Sequence, residues 1–506
     1  MEQAQFNNIS NSTKIDQLTK EELAQKYHVV VDELARVIKE NYELRNQKIS
    51  DEQLNFILQE QLADLQNSLY GTSSERYKKP EDKKKEKSEP KPQVKRPSER
   101  YPNIPVREEL VPFDEVPHCD ACGKVMIDSG MTEESEQLTV IPKKFEIIRW
   151  VRPKFRCSCH ACIKTPAVPP RIIEGSSYSD EMIIDVVASK YCDLIPIERY
   201  VQMAARSGLF NLPPQSLIEL THYFASFINP VYERIRLEIL KSRVLHADET
   251  PHKMLEGSST KSWYLWGFSN PTICFLDCHD TRSGDIAINI LKESNCEVLI
   301  SDVYGGYDRA IRLTNIERQT NQGILIKNAN CNAHARRYFF KVRHSYKEVE
   351  FYLDHYHHIY QLNADSKGKT DSEILELRSQ MKERFEEMKI QAQKEFANYP
   401  KGKYKTALNY FLENYIGLTI FLTDSEVSID NNAQERLLRS HVVGRKTWYG
   451  THSERGAKTA AVLFSIVETC KLNQVNPRIY FQNLVKDLLE GKIPYTPKEF
   501  QDLPVS

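Results

Sequence analysis

No stretch of this 506-residue chain is apolar enough to cross a bilayer; none approaches the roughly 18–20 residues that a spanning helix needs. The opening residues, Met1 to Lys20, are polar. A soluble protein that stays in the cytoplasm, with no membrane partner, is expected. An excess of one charge is also missing. Lysine and arginine number 69 against 70 acidic residues, a net charge of −1. Any binding of nucleic acid must therefore come from local patches rather than from a global field. Cysteine is sparse, with eleven in all, too few for a disulfide scaffold at this length. Five of the eleven fall between Cys119 and Cys162, and such crowding in an intracellular chain points to metal. The length suits three or four domains with a large core.

Five segments precede or follow a central catalytic-type region. Residues 1–75 carry apolar residues at helical spacing. Leu34, Val37, Asn41 and Leu44 form one seam, and Leu58, Leu62, Leu65 and Leu69 another. The pattern predicts either a self-associating coiled coil, giving a homo-oligomer, or a helical hairpin packed on its own protein. Residues 76–105 lose this periodicity, and the part from Arg76 to Arg100 is net +6. They predict a flexible basic linker, a spacer with DNA phosphate contact as an added role. Residues 106–172 predict a small zinc-binding domain. Cys119 and Cys122, with Cys159 and Cys162, give two thiolate knuckles of two-residue spacing for a closed structural Zn²⁺ site. Cys157 and His160 compete for the second knuckle. Residues 173–242 read as helices, with the proportions of a helix-turn-helix that would suit DNA reading or plain helical core. Residues 451–506 form a C-terminal helical segment.

The region between, 243–450, alternates strands and helices. Apolar runs at 244–247, 262–268 and 272–277 predict strands, the last two as a hairpin around residues 269–271. A helix over 285–292 and a strand over 298–300 follow. A further apolar run at 324–326 leads into Asn330, and a charged helical insertion spans about 340–420. An antiparallel hairpin beside parallel strands with flanking helices is the element order of a ribonuclease H-like core. The whole is thus a multidomain α/β protein. Three acids stand out: Asp248 and Asp302 after apolar runs, and Glu435 in a segment of helical spacing. Brought together they make an all-oxygen site for two Mg²⁺ or Mn²⁺ ions. Such a pair suits phosphodiester displacement. Glu435 would fix the second ion and activate water or a DNA 3′-hydroxyl. Glu249 would point away if the strand continues, and Asp430 reads better as a helix cap than as a ligand. Cations crowd the same text: Arg436, Arg439, Arg445 and Lys446, with Trp448 among them. Guanidinium forks fit phosphate, and an aromatic ring can stack on an unpaired base. His334, Arg336 and Arg337 form a second cluster, for phosphate contact or fold support.

The motifs that hold these residues resemble those of a known family. His246-Ala-Asp-Glu-Thr250, Ser301-Asp-Val-Tyr-Gly-Gly-Tyr307, Cys331-Asn-Ala-His-Ala-Arg-Arg337 and Asp430-Asn-Asn-Ala-Gln-Glu-Arg436 look like the catalytic motifs of insertion sequence 66 bacterial transposases. The segment Leu69-Tyr-Gly-Thr-Ser-Ser-Glu-Arg76, the cysteine knuckles and Gly444-Arg-Lys-Thr-Trp448 are similar to its outer parts, in the same order. The resemblance implies a DDE-type enzyme with Asp248, Asp302 and Glu435 as its triad. It would cut and join DNA at element ends, in a bacterial cytoplasm and at the nucleoid during activity. Companion small element-encoded proteins are implied as partners. Two other readings share these motifs. One is a DNA-binding or assembly protein whose triad no longer acts; the other is a structure-selective nuclease of the same fold.

Overall fold

The computed structural model describes residues 32–34, 36, 37, 39, 96–102, 104–109, 118, 120, 121, 123–125, 134–141, 143–156, 162–255, 262–399 and 401–502. The expected coiled-coil seam beyond Val37, the linker before Arg96, and Cys119, Cys122, Cys157 and Cys159 lie outside the described residues. The chain divides into two units. The smaller takes residues 76–149 and 207–209. In it Pro97–Arg100 forms one helical turn opened by proline. Ser98 donates its N–H and its hydroxyl to Glu136, at 2.8 and 2.7 Å. The far end of the expected linker therefore carries local structure. Proline is preset for a first helical turn, and the carboxylate satisfies the donors that turn leaves open.

The larger unit takes residues 1–75, 150–206 and 210–506. A two-residue ribbon pairs Phe155–Arg156 with Ile163–Lys164. Four helices follow: α1 (Asp180–Tyr191), α2 (Ile197–Arg206), α3 (Pro214–Phe227) and α4 (Asn229–Leu240). Next come β1 (Val244–Lys253), β2 (Ser262–Ser269), β3 (Cys274–His279), α5 (Asp285–Glu293), β4 (Val298–Ser301), α6 (Gly305–Thr320) and β5 (Lys327–Asn330). Helices α7 (Asn332–Val342), α8 (Val349–Asp365), α9 (Asp371–Asn398), α10 (Lys403–Glu413) and α11 (Tyr415–Thr419) make the insertion. The chain ends with α12 (Asn432–Trp448), α13 (Glu454–Leu472), α14 (Pro477–Leu489) and α15 (Pro497–Gln501). No described helix is long and apolar enough to cross a membrane.

The strands form one mixed sheet in the order β3-β2-β1-β4-β5. The hairpin neighbours β1, β2 and β3 are antiparallel, and β4 and β5 run parallel to β1. Two expectations need correction. The first strand does not stop at residue 247: its parallel pairing with β4 ends at His246, but β2 continues to pair it as far as Lys253. Asp248 therefore sits within a strand rather than at its end. The strand after α6 is the polar Lys327–Asn330, immediately after the apolar run at 324–326, because its ladder with β4 begins at Lys327. Ile326 is buried while Ile324 and Leu325 are exposed.

Edge strand β3 would present unpaired backbone groups, a hazard that native sheets cover. Here α13 covers it with a polar stripe. Ser465 Oγ accepts the Leu276 N–H at 2.8 Å, Thr469 Oγ1 accepts that of Cys274 at 3.1 Å, and Asn473 Nδ2 donates to Thr272 O at 2.7 Å. Residues 465, 469 and 473 recur every four positions, so one helix face serves the strand. The helices before the sheet share its core: Tyr232 packs on Phe275 and donates to Leu276 O at 2.8 Å, and Tyr191 meets Phe464 edge-on. In the expected helix-turn-helix, α3 turns Leu217, Leu220 and Phe224 inward, with Phe224 against Phe481 of α14. The insertion is helical as the sequence indicates. Its aromatic core, with Phe339, Tyr352, Phe385 and Phe411, is continuous with Val298, Ile300 and Ala329 of the sheet.

Candidate active site

Parallel register places the first two acids side by side. His246 pairs with Ile300, so Asp248 and Asp302 stand two residues further on at the same level and, by the two-residue alternation of strands, on the same face. The third acid arrives on α12, which lies along that face of β1. His246 Nδ1 contacts Asn431 Oδ1 at 2.9 Å, and His252 Nδ1 contacts His441 Nε2 at 2.8 Å. Between these two anchors, Glu435 in the first turn of α12 comes opposite Asp248. Room for the helix comes from β2. The residue paired with Asp248 is Gly267, and a Cβ there would fall 2.1 Å from Gln434 Nε2. A side chain at 267 would displace the Gln434 side chain from the sheet face.

Asn431, 1% exposed, ties the site together. Its Oδ1 accepts from His246 Nδ1 at 2.9 Å, its Nδ2 donates to Ala247 O at 2.8 Å, and its backbone N–H reaches Cys331 Sγ at 3.2 Å. One residue thus couples β1, the start of α7 and the start of α12. Asp430 beside it accepts the Asn432 N–H at 3.1 Å and the Tyr360 hydroxyl at 3.0 Å, so both its oxygens are engaged; the N-cap position is Asn431, one residue later than the sequence indicates.

Electrostatics reflect the crowding. Burial pushes the Asp248 carboxyl up to about 8, aided by the charges of Glu249, Asp302 and Glu435. Asp302 is also raised by burial, opposed by His334 and Arg282. Glu249 points to the other face, as the sequence indicates. It accepts from Tyr307 Oη at 2.7 Å and from Arg282 at 2.6 and 2.9 Å. Asp302 Oδ1 and Glu435 Oε1 are buried with no hydrogen-bond partner. Leaving such oxygens unpaired is costly, and a hard cation or its water would satisfy them. Carboxylate oxygens suit divalent ions by their chemistry; among the described residues, the donor atoms that lie within 4.8 Å of one another are those of Cys331, His334 and Glu435.

The cations distribute unevenly. On α12, Arg436, Arg439 and Lys446 are exposed, whereas Arg445 is half-buried near His252 and His441. The Trp448 ring lies against Gly444, where a Cβ would fall 2.5 Å from it, and Lys190 Nζ stands 5.1 Å from its centre. Arg336 and Arg337 are half-buried on α7, with Arg336 over the Phe340 ring. Cys162, the described member of the second knuckle, is exposed. Sequence reasoning did not single out Asn431, Gln434 or the His252–His441 pair. Their only signal was polar residues at the spacing of an otherwise buried helix face.

Residues 175–459 match the family described as "Transposase IS66 family". Residues 117–160 match the "zinc-finger binding domain of transposase IS66", a span that holds Cys119, Cys122, Cys157 and Cys159 and ends before Cys162. Two relatives come from Sinorhizobium fredii. "Uncharacterized protein y4hP" is 24% identical, covering 77% of this chain and 73% of its own length. "Uncharacterized protein y4qI" is 26% identical, covering 88% and 82%.

Proposed function

The chain belongs to the IS66 family of transposases, and on that premise we propose that it cuts and joins DNA at element ends through Asp248, Asp302 and Glu435. The observation that carries this reading is the meeting of three carboxyls from β1, the end of β4 and α12, two of them with unpartnered buried oxygens. The sheet order, with a three-stranded antiparallel part and two parallel strands, supports a ribonuclease H-like core. Two Mg²⁺ or Mn²⁺ ions bound by the three acids would hold the attacking and leaving oxygens of the scissile phosphodiester. The protein's own work is positional. Strand register fixes Asp248 against Asp302, Asn431 and Gly267 let α12 bring Glu435 down, and the surrounding core limits water. Arg436, Arg439 and Lys446, on the exposed side of the same helix, would steer phosphates to the acids. Arg336, Arg337 and Arg445 would contact DNA from half-buried positions, and Trp448 would reach a base only if Lys190 withdraws.

The test is a DNA reaction with purified full-length protein, Mg²⁺ and a duplex bearing the element's terminal repeats. Nicking at the ends and joining to a second duplex support a transposase. Cutting that ignores the repeats and never joins would indicate a nuclease instead, and binding without cutting under any divalent ion would indicate an assembly protein. Replacing Arg436 and Arg439 with alanine should weaken end binding across sequences and lower the salt slope by about 1 per lost phosphate contact. An unchanged slope would remove them from the interface.

The zinc-finger match supports structural zinc. We assign it to Cys119 and Cys122 with two of Cys157, Cys159 and Cys162. Elemental analysis of carefully reduced protein should give about one zinc per chain. A content near zero would dismiss the site. For residues 1–75 we retain the coiled coil, with self-association as its role; companion small proteins stay an implication of the family, with no docking surface assigned. Deletion of residues 1–75 should lower the mass in light scattering, and an unchanged mass would count against the coiled coil.

A further inference from the structure

His334 stands beside the acids and has no part in the reading above. It lies in the first turn of α7, whose start is held by Asn332 Nδ2 donating to Leu418 O and Ile429 O at 2.9 and 3.0 Å. Its Nε2 is 3.8 Å from Glu435 Oε1. That is too long for a hydrogen bond. It falls within the roughly 3–4 Å that separates two donors sharing one ion at about 2.1 Å each. The imidazole also acts electrostatically on Asp302, at longer range than on Glu435. Three atoms here are buried without partners: His334 Nδ1, Asp302 Oδ1 and Glu435 Oε1. The unpartnered Glu435 oxygen is the one that His334 Nε2 faces, while Nδ1 lies on the other edge of the ring. Cys331 Sγ lies within 4.8 Å of the His334 and Glu435 donor atoms. It is fully buried and already accepts the Asn431 N–H at 3.2 Å, which makes it a strut rather than a donor.

We propose that His334 is a nitrogen donor to a divalent cation that it shares with Glu435. This rests on the reading that the three acids hold such ions. Its consequence is selectivity. An all-oxygen site suits Mg²⁺, whereas one imidazole raises the affinity for transition-metal ions relative to Mg²⁺. The position on α7 also gives the Cys331-Asn-Ala-His334 motif a physical role. The strut fixes the helix start one turn before the ring, and the helix presents the ring to Glu435.

The experiment uses Mn²⁺ as the probe and the full chain. Loss of the free-ion paramagnetic resonance signal measures binding, and pulsed resonance reports nitrogen-14 directly bonded to manganese. The expected result is a nitrogen coupling in the wild-type protein. It should be absent in His334→Gln, which should still bind Mn²⁺ about 10-fold more weakly or worse. His334→Asn serves the same purpose if the glutamine variant melts early. Mn²⁺ binding that Asp248→Asn weakens, but with no nitrogen coupling, would overturn the proposal and leave the acidic site standing. A coupling that survives in both His334 variants would overturn it too. Wild-type protein that binds no Mn²⁺ would remove the acidic site and the proposal together.

Discussion

Asp248→Asn should lower strand cleavage by more than about 100-fold while leaving binding to element ends intact. The carboxylate is lost from the centre of the acid cluster, and the shape is kept. The oxygen that accepts the Glu249 N–H at 2.9 Å has a counterpart in asparagine, so the strand should not move. A gel assay of nicking, run beside an end-binding assay, separates these outcomes; equal cleavage by the variant would take Asp248 out of the site. The same substitution has a second effect of opposite sign on stability. In metal-free protein the folded-state carboxyl is raised to about 8, against an ordinary value near 3.8. The folded chain therefore holds a proton that the unfolded chain releases. The stabilisation this gives is complete below about pH 4 and is lost as pH rises through about 8. Asp248→Asn has no such proton to lose. In a chelator at pH 9 it should be more stable than wild type, on the order of 1–3 kcal/mol. At pH 4 the two should melt alike. Mg²⁺ should narrow the gap at high pH, because bound cations favour the ionised carboxylate. A melting difference that does not depend on pH would mean that Asp248 is not the crowded group described here.

Asn431→Ala should cost roughly 2–4 kcal/mol, seen as a fall in Tm of ~2–6 °C for a unit of this size. The amide joins His246 and the Ala247 carbonyl in a region that water does not reach, so truncation leaves both without that partner. Activity should fall further than stability implies, measured at a temperature where the variant is fully folded. With the amide gone, nothing anchors the start of α12 to β1, and Glu435 lies four residues along that helix. Cleavage should drop while end binding, which depends on the exposed cations, changes little. Were cleavage per folded molecule unchanged, Asn431 would be a packing residue only.

Much of the site was readable before any coordinates. Asp248 and Asp302 follow short apolar runs, Glu435 sits among helical spacings, and the cations cluster beside it. The alternation of a strand also indicated that Glu249 would face away, and it does, toward Arg282 and Tyr307. The length of β1 was not readable, because residues 248–253 are polar and owe their strand conformation to β2 beside them. The polar β5 escaped for the same reason: its ladder to β4 decides it, not its composition. Gly267 stands in an aromatic strand with no local reason for its lack of a side chain. Its meaning is a long-range one, since Gln434 occupies the space its side chain would take.

The sequence alone determined which groups could do chemistry here, since the type of each side chain and its place on a strand or helix are local properties. It also determined the hairpin, the helical insertion and the absence of a spanning segment. Only the tertiary structure decided which of those groups meet. Bringing Asp248, Asp302, His334 and Glu435 to one place depends on strand register and on α12 lying over Gly267, and both are contacts between residues far apart in the chain.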